Sequence, residues 1–414
     1  MGAYPDASMN NKNQLIPRDL PPIEAHTQHR VYPDYGGAGL LNLIASCVAS
    51  RGGRALHPPL RALPPGVLQG ARNLVLLLID GLGYNYLSAR CAGSRLHSHL
   101  AGRMTSVFPS TTASAITTTF TGLAPAEHGL TGWFTWFGEA DTIAAALPFK
   151  PRGQAEPLES RGIRPANLYR GAPLFDSLVD DPFVVSYRPI VDSAYNQFFC
   201  GRAIRRPYDD LAGLVSQTEA VVKSGDARKF VYAYYPEFDT TSHRHGVAST
   251  ETAAVFAAID ASFGDLAQRL AGTDTAIVVT ADHGFIDCPA EFALDTADCP
   301  ELAALLARPL TGERRVAFCH VRPGKQAEFK ALATEWLAGK ADVLPGRMPL
   351  DEGWFGSGDL HPNIAERTGD FVLMMREPYT IKDWLPGEPR HLHIGNHGGL
   401  SADEMYIPLV VARV

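Results

Sequence analysis

The stretch NLVLLLIDGLG, residues 73–83, places a continuous apolar run directly before Asp80 and two glycines. A short run that is apolar on both faces is typical of a buried strand in a parallel sheet. The same pattern, an apolar run followed by acidic or histidine residues, returns at 229–235 and at 275–280. Helical patterns separate these strands. Strands that alternate with helices predict an α/β fold, with helices on both faces of a parallel sheet.

The pattern changes between residues 284 and 390. A strand pattern at 316–321 precedes a helical pattern at 325–340, and another strand pattern follows at 371–375. We interpret this region as a small α+β insert over the edge of the main sheet, and the apolar segment 405–414 as a strand that returns to that sheet. The sequence thus predicts an N-terminal arm at 1–35, a catalytic core at 36–283 and 391–414, and a cap insert at 284–390.

Composition narrows the classes of function. The chain has 414 residues and a net charge of −7, so we expect no broad basic surface and no binding of nucleic-acid polymers. No uninterrupted apolar stretch approaches the length of a membrane-spanning helix, and the N-terminal residues lack a secretory pattern. The six cysteines show no CxxC spacing and are expected to be buried thiols. We therefore expect a cytoplasmic location, while the oligomeric state stays open.

Residues that can bind metal ions follow the predicted strands. Open parallel sheets place their ligands at the carboxyl ends of their strands, so these side chains should meet at one edge. Each of them alone is more typical of a turn, a helix cap or a loop. Together, imidazoles and carboxylates suit Zn²⁺, with Mn²⁺ or another divalent ion as the alternative, and their number suits two ions that share a phosphate. The candidate ligands are Asp80, Asp239, His243, Asp282, His283 and His397.

A hydroxyl-rich segment, FPSTTASAITTTFTG at residues 108–122, supplies a candidate nucleophile. Thr112 stands where a helix is expected to begin, and the free N–H groups of a helix N-terminus favour an anionic phosphate. A metal-bound threonine alkoxide can attack phosphorus without a histidine base. Ser110 and Thr111 are equally hydroxylated and equally near this helix start, so chemistry alone does not choose among the three.

These motifs resemble the type I phosphodiesterase/nucleotide pyrophosphatase family of the alkaline phosphatase superfamily, from about residue 73 to the end of the chain. The resemblance rests on IDGLG, FPSTTASAITTTFTGLAPAEHG, EFDTTSH, TADHG and NHGG, in the family's order. It implies an α/β/α sandwich with a mostly parallel central sheet, two bound Zn²⁺ ions, and a nucleophile ten residues before Gly122, which is Thr112. It implies that Asp80, Thr112, Asp282 and His283 hold one ion, and that Asp239, His243 and His397 hold the other.

One position departs from the family pattern. Phosphodiesterases of this family place an Asn four residues after the Gly of the HG motif, and its amide binds a phosphate oxygen. Here the Gly is Gly129 and the residue four later is Trp133, so the usual side-chain donor is missing. Trp133, Phe134, Trp136 and Phe137 are expected either to line a substrate pocket or to pack in the core.

The resemblance implies a metal-dependent hydrolase of phosphodiester or pyrophosphate bonds that works through a covalent phospho-threonine. The expected substrate is a small phosphate ester, for which a nucleotide is one candidate. The first alternative is a phosphomonoesterase for a small metabolite, which needs an additional cation such as Arg170 or Arg244. The second alternative, of another class, is an inactive binding protein that is stabilised by metal.

Overall fold

The structure, a computed structural model, describes residues 30–414. Residues 1–29 of the predicted N-terminal arm lie outside the described residues. The described end of that arm packs against the body of the protein, where the Val31 N–H donates to the Leu400 carbonyl and the Tyr35 hydroxyl donates to the Trp354 carbonyl. Within residues 30–414, no helix has the length and apolar composition needed to cross a bilayer.

The centre of the protein is a mostly parallel sheet, called here the main sheet. All seven residues of the strand Asn73–Ile79 are buried, as the apolar run predicts. This strand pairs in parallel with Lys229–Tyr235 and Thr275–Thr280, whereas Tyr406–Arg413 is antiparallel to both of its neighbours. The predicted α/β class is therefore confirmed. In spatial order the strands are Leu100–Thr105, Tyr406–Arg413, Thr275–Thr280, Asn73–Ile79, Lys229–Tyr235, Asp181–Tyr187 and Ile204–Tyr208.

Helices connect these strands, and local capping fixes where several of them begin. The carboxylate of Asp210 accepts a hydrogen bond from the Gly213 N–H at 2.7 Å, which caps the helix Leu211–Lys223. The longer helices are Leu40–Ser50, Tyr84–Arg90, Thr112–Thr121, Leu211–Lys223, Glu237–His245, Thr250–Arg269 and Gln326–Trp336. The shorter helices are Pro65–Gln69, Arg95–Ser98, Pro125–His128, Pro165–Leu168, Arg188–Val191, Ala194–Phe199, Pro300–Leu305, Met348–Asp351, Ile364–Arg367 and Ala402–Met405.

The chain also forms a second sheet, in which all the paired strands are antiparallel. In spatial order its strands are Ala341–Pro345, Phe371–Met375, Val316–Cys319, Thr311–Gly312, Phe134–Phe137, Thr142–Ala145 and Lys150–Pro151. Two small ladders pair Ile286–Asp287 with Gly395–Asn396, and Ala293–Asp295 with Thr380–Lys382.

The second sheet joins two distant segments of the chain. Most of its strands come from the predicted cap insert, but residues 134–151, which the sequence assigned to the core, supply three of them. The segments meet where Phe134 pairs with Gly312. A Cβ on Gly132 would lie 2.7 Å from the Gly312 Cα, so the absence of side chains lets the two backbones approach. The division of the chain into a core and a cap stays a prediction.

Candidate functional site

Two buried carboxylates lie at the carboxyl ends of adjacent main-sheet strands. Asp80 follows the strand Asn73–Ile79, and Asp282 comes two residues after the strand Thr275–Thr280. Asp282 accepts a hydrogen bond from the Gly81 N–H at 3.0 Å, and Asp80 accepts one from the Tyr234 hydroxyl. Burial raises the pKa of Asp80 to about 6 and, together with the charge of Asp80, raises the pKa of Asp282 to about 7. A positive charge placed between these carboxylates would lower both pKa values and favour their ionised forms.

Thr112 is the first residue of the helix Thr112–Thr121, which ends at the left-handed Gly122. Its Oγ1 atom lies 3.4 Å from Asp80 Oδ1 and 3.2 Å from His283 Nε2. The helix start aims this side chain at the ends of the main-sheet strands. Thr112 therefore faces the carboxylate and imidazole cluster that the sequence predicted for it.

The two neighbouring hydroxyls point elsewhere. Ser110 Oγ donates to the Gly399 carbonyl at 2.7 Å, and Thr111 Oγ1 donates to the Glu313 carboxylate at 2.6 Å. Of the three hydroxyls that chemistry could not distinguish, Thr112 is the one that contacts the cluster. The backbone geometry of the helix start, which the sequence does not display, makes this choice.

A second group of candidate ligands lies beside the first. Asp239 and His243 are four residues apart in the helix Glu237–His245 and so share one face. The Asp239 Oδ1 atom lies 3.3 Å from His243 Nε2 and 3.7 Å from His397 Nε2, and these two nitrogens are 3.2 Å apart. The rings of His283 and His397 stack with centroids 3.7 Å apart, which places the two groups side by side.

The three histidine rings turn their Nε2 atoms toward these carboxylates. In each ring the Nδ1 atom lies near a backbone carbonyl. His243 Nδ1 is 2.8 Å from the Gly395 carbonyl, His283 Nδ1 is 3.0 Å from the Gly284 carbonyl, and His397 Nδ1 is 3.1 Å from the Ser110 carbonyl. Because a carbonyl only accepts, a ring in its neutral form carries its proton on Nδ1, which leaves an Nε2 lone pair aimed at the cluster. Burial lowers the pKa of His243 to about 3 and that of His397 well below its usual value.

This arrangement fits divalent metal ions. Among residues 30–414, the buried Asp239 Oδ1 and Asp282 Oδ2 atoms have no hydrogen-bond donor. Burial and the charges of Asp80 and Asp282 raise the pKa of Asp239 well above its usual value. Lone pairs that face other lone pairs in a buried site repel unless a cation lies between them. Two sets of ligand atoms lie within 4.8 Å of one another, Asp80 with Asp282 and His283, and Asp239 with His283 and His397.

A cavity of about 400 Å³ opens beside Thr112 and the second group of ligands. Its opposite wall comes from the second sheet and the loops that flank it. Trp133 and Phe134 line this cavity. Trp136 and Phe137 are instead buried, and the Trp136 indole donates to Glu366 at 2.8 Å. Of the four aromatic residues considered from the sequence, two therefore face the cavity and two pack inside the fold.

The cations of the cavity are not those that the sequence suggested. Arg170 is paired with Asp359 at 3.1 Å on the surface, and Arg244 is exposed, and neither lines the cavity. Arg152, Arg314 and Lys382 line it instead. Nothing in the local sequence marks these three, because the fold of the second sheet brings them to the cavity.

Arg314 differs from the other two cations of the cavity. Arg152 lies 2.8 Å from Asp383, and Lys382 lies 3.4 Å from Glu388. Arg314 has no carboxylate partner within 4.0 Å in the part of the chain that the structure describes, and it donates to the His391 carbonyl at 2.8 Å. Burial lowers its pKa to about 10, so it is still charged at neutral pH. A charged guanidinium without an ion-pair partner is suited to bind an anionic group of a ligand.

Glu313 is the other residue that the sequence did not reveal. Its Oε1 atom accepts hydrogen bonds at 2.6 Å from the Thr111 hydroxyl and at 2.6 Å from the Trp133 N–H. Burial raises its pKa to about 7. Glu313 thus lies next to Trp133, the position at which the resemblance led us to expect an amide side chain. The Trp133 backbone, not its indole, supplies the polar contact there.

Comparisons with known proteins agree with this geometry. A model of the family described as type I phosphodiesterase / nucleotide pyrophosphatase matches residues 74–400. Murine ectonucleotide pyrophosphatase/phosphodiesterase 5 is similar in structure, with a TM-score of 0.60 and 20% identity, over 81% of this chain and 87% of that chain. An inactive variant of that murine protein has been solved in complex with AMP.

Phosphonoacetate hydrolase from Sinorhizobium meliloti 1021, solved in complex with phosphonoformate, has a TM-score of 0.59 and 18% identity, over 83% of this chain and 90% of that chain. At these identities the likeness shows the shared fold. A comparison with curated protein sequences finds no match.

Proposed function

The chain belongs to the type I phosphodiesterase/nucleotide pyrophosphatase family, and from that premise we propose that it hydrolyses phosphodiester or pyrophosphate bonds through a covalent phospho-threonine. The resemblance drawn from the motifs, and with it the class of phosphoric ester hydrolases, is confirmed by the family match. One observation supports the proposed mechanism above all. Of the three neighbouring hydroxyls, only that of Thr112 contacts Asp80 and His283.

We propose two divalent metal ions, with Asp80, Thr112, Asp282 and His283 around one and Asp239, His243 and His397 around the other. Two adjoining groups of buried ligand atoms, which share His283, support a pair of ion sites. His243 joins the second group through its contacts with Asp239 and His397. The mixture of imidazole and carboxylate ligands favours Zn²⁺ over Mn²⁺ or another divalent ion. Ions bound there would lower the pKa of the Thr112 hydroxyl and stabilise negative charge on the phosphoryl oxygens.

Thr112 then acts as the nucleophile. Its Oγ1 gives up the hydroxyl proton and forms a bond to phosphorus as the bond to the leaving-group oxygen breaks. That oxygen leaves with the electron pair and takes up a proton. The first N–H groups of the helix Thr112–Thr121 have no carbonyl partner within the helix, so they are available to phosphoryl oxygens. A water molecule hydrolyses the phospho-threonine in the second step and restores the hydroxyl.

A small phosphate ester is the proposed substrate, and a nucleotide is the first candidate to test because the murine relative was solved with AMP. The indole and phenyl groups of Trp133 and Phe134 in the cavity could stack on a nucleobase. The phosphomonoesterase alternative also has an observation in its favour, since the charged Arg314 in the cavity could bind a second negative charge. The cytoplasmic location and the alternative of an inactive binding protein stay predictions.

Hydrolysis assays separate these possibilities. Bis-p-nitrophenyl phosphate and thymidine 5′-p-nitrophenyl phosphate report diesterase activity, and p-nitrophenyl phosphate reports monoesterase activity, each with and without a chelator. We expect the diesters to be hydrolysed only without chelator, and not by the Thr112→Ala variant. If only the monoester is hydrolysed, the alternative holds, and if metal-loaded protein hydrolyses none of the three, the binding-protein alternative is favoured.

A further inference from the structure

Glu313 brings a carboxylate to the wall of the cavity that faces the nucleophile. It reaches there from the turn between the strands Thr311–Gly312 and Val316–Cys319 of the second sheet. Its Oε1 atom is held by two donors at 2.6 Å, the hydroxyl of Thr111 and the N–H of Trp133. Both Glu313 and Thr112 line the same cavity, and Thr111 precedes the nucleophile directly.

The two donors that hold Glu313 have the arrangement of an oxyanion site. A hydroxyl and a backbone N–H converge on one negatively charged oxygen, as such groups do on a phosphoryl oxygen. They lie beside the nucleophile, because Thr111 directly precedes Thr112 and Trp133 lines the same cavity. In this chain the subsite is already filled by a carboxylate of the protein.

A filled subsite restricts the charge of the substrate. A phosphoryl group attacked in line by Thr112 has three equatorial positions. A diester has one neutral ester oxygen among them, which can face Glu313 without repulsion. A doubly charged monoester has to place a charged oxygen there, and two negative charges at close range in a partly buried cavity repel strongly.

We propose that Glu313 is a specificity-determining residue that selects singly charged diesters and excludes doubly charged monoesters from the site. This inference rests on the proposed function and extends it, because it assigns the choice between the two classes of substrate to one side chain. Burial of the carboxylate against Thr111 and Trp133 keeps it at this position.

The test removes the charge and keeps the shape. In Glu313→Gln the amide oxygen can still accept from Thr111 and Trp133, so we expect the variant to fold. Glu313→Ala removes the charge without adding an amide donor. The matched control is Glu335→Gln, which makes the same charge change at an exposed position of the helix Gln326–Trp336. For each zinc-loaded protein, kcat/KM is measured at pH 8, above the pKa of about 7 of Glu313, with p-nitrophenyl phosphate and with bis-p-nitrophenyl phosphate.

We expect the ratio of monoester to diester kcat/KM to rise by about tenfold or more in both Glu313 variants and to stay unchanged in the control. Calorimetry with inorganic phosphate at pH 8 gives a reading that does not need turnover, and both Glu313 variants should bind phosphate about tenfold or more tightly than the unaltered protein. An unchanged ratio together with unchanged phosphate affinity overturns the proposal. An absence of diesterase activity in the unaltered protein overturns the proposed function instead, and the phosphate titration still decides the role of Glu313.

Discussion

Three adjacent hydroxyls allow the nucleophile to be identified by single substitutions. Thr112→Ala removes the group that attacks phosphorus and one candidate metal ligand, so we expect diesterase turnover to fall by several orders of magnitude. Thr112→Ser should keep measurable activity, because a primary alkoxide can make the same attack. The fold should survive both changes, since the other ligands of the cluster come from strand ends and from the helix Glu237–His245.

The neighbouring positions give the scale for comparison. Thr111→Ala loses one hydrogen bond to the Glu313 carboxylate, which is about 1.5 kcal/mol and so roughly tenfold in rate at most. Ser110→Ala leaves the buried Gly399 carbonyl without this donor and should lower the free energy of unfolding by about 1 kcal/mol with little effect on turnover.

The assay is steady-state hydrolysis of bis-p-nitrophenyl phosphate, with thermal melting of each variant as the control for folding. The order of activities should be unaltered protein, Ser110→Ala, Thr111→Ala, Thr112→Ser and then Thr112→Ala. An inactive Thr111→Ala beside an active Thr112→Ala would refute the geometric argument. In that case the nucleophile and the ligands assigned around it would have to be placed one residue earlier.

Three further predictions follow from the site and its walls. Removal of metal by a chelator should lower the melting temperature, because ions that bind the folded state stabilise it and separate its buried carboxylates. Elemental analysis should find two ions per chain. Equal melting temperatures with and without chelator would contradict this prediction. Arg314→Ala should raise KM at least severalfold for thymidine 5′-triphosphate, with little change for bis-p-nitrophenyl phosphate. The surface variant Arg170→Ala should change neither KM value. An equal rise of KM for both substrates in Arg314→Ala would speak against anion recognition by Arg314. Gly132→Ala should lower both melting temperature and activity, because its Cβ would lie 2.7 Å from the Gly312 Cα, whereas Gly102→Ala meets no atom within 4 Å; similar melting of the two variants would argue against the close backbone approach.

The main sheet and its ligands could be predicted from the sequence because both are encoded locally. An apolar run on both faces identifies a buried parallel strand, and the residue after it then lies at the ligand-binding edge without any knowledge of long-range contacts. Asp80 and Asp282 were found in this way. The short spacing of Asp239 and His243 likewise places both on one face of a helix.

The opposite wall of the cavity could not be predicted in the same way. Glu313 and Arg314 reach the cavity because a short strand from the insert pairs with Phe134, about 180 positions earlier in the chain. No local periodicity reports such a pairing, and a two-residue strand gives no recognisable pattern. Trp133 was noted for its missing amide, but its backbone N–H makes the relevant contact, and every non-proline residue offers such a group.

The pairing of Phe134 with Gly312 also limits how this enzyme could be re-engineered. A chimera that exchanged residues 284–390 alone for those of a relative would leave the hairpin at 134–151 with a foreign neighbour and an unpaired strand edge, which invites misassembly. Residues 134–151 and 284–390 therefore have to be exchanged together if a chimera is to acquire the substrate range of the relative. Thermal melting and aggregation of single-segment and two-segment chimeras would measure that dependence.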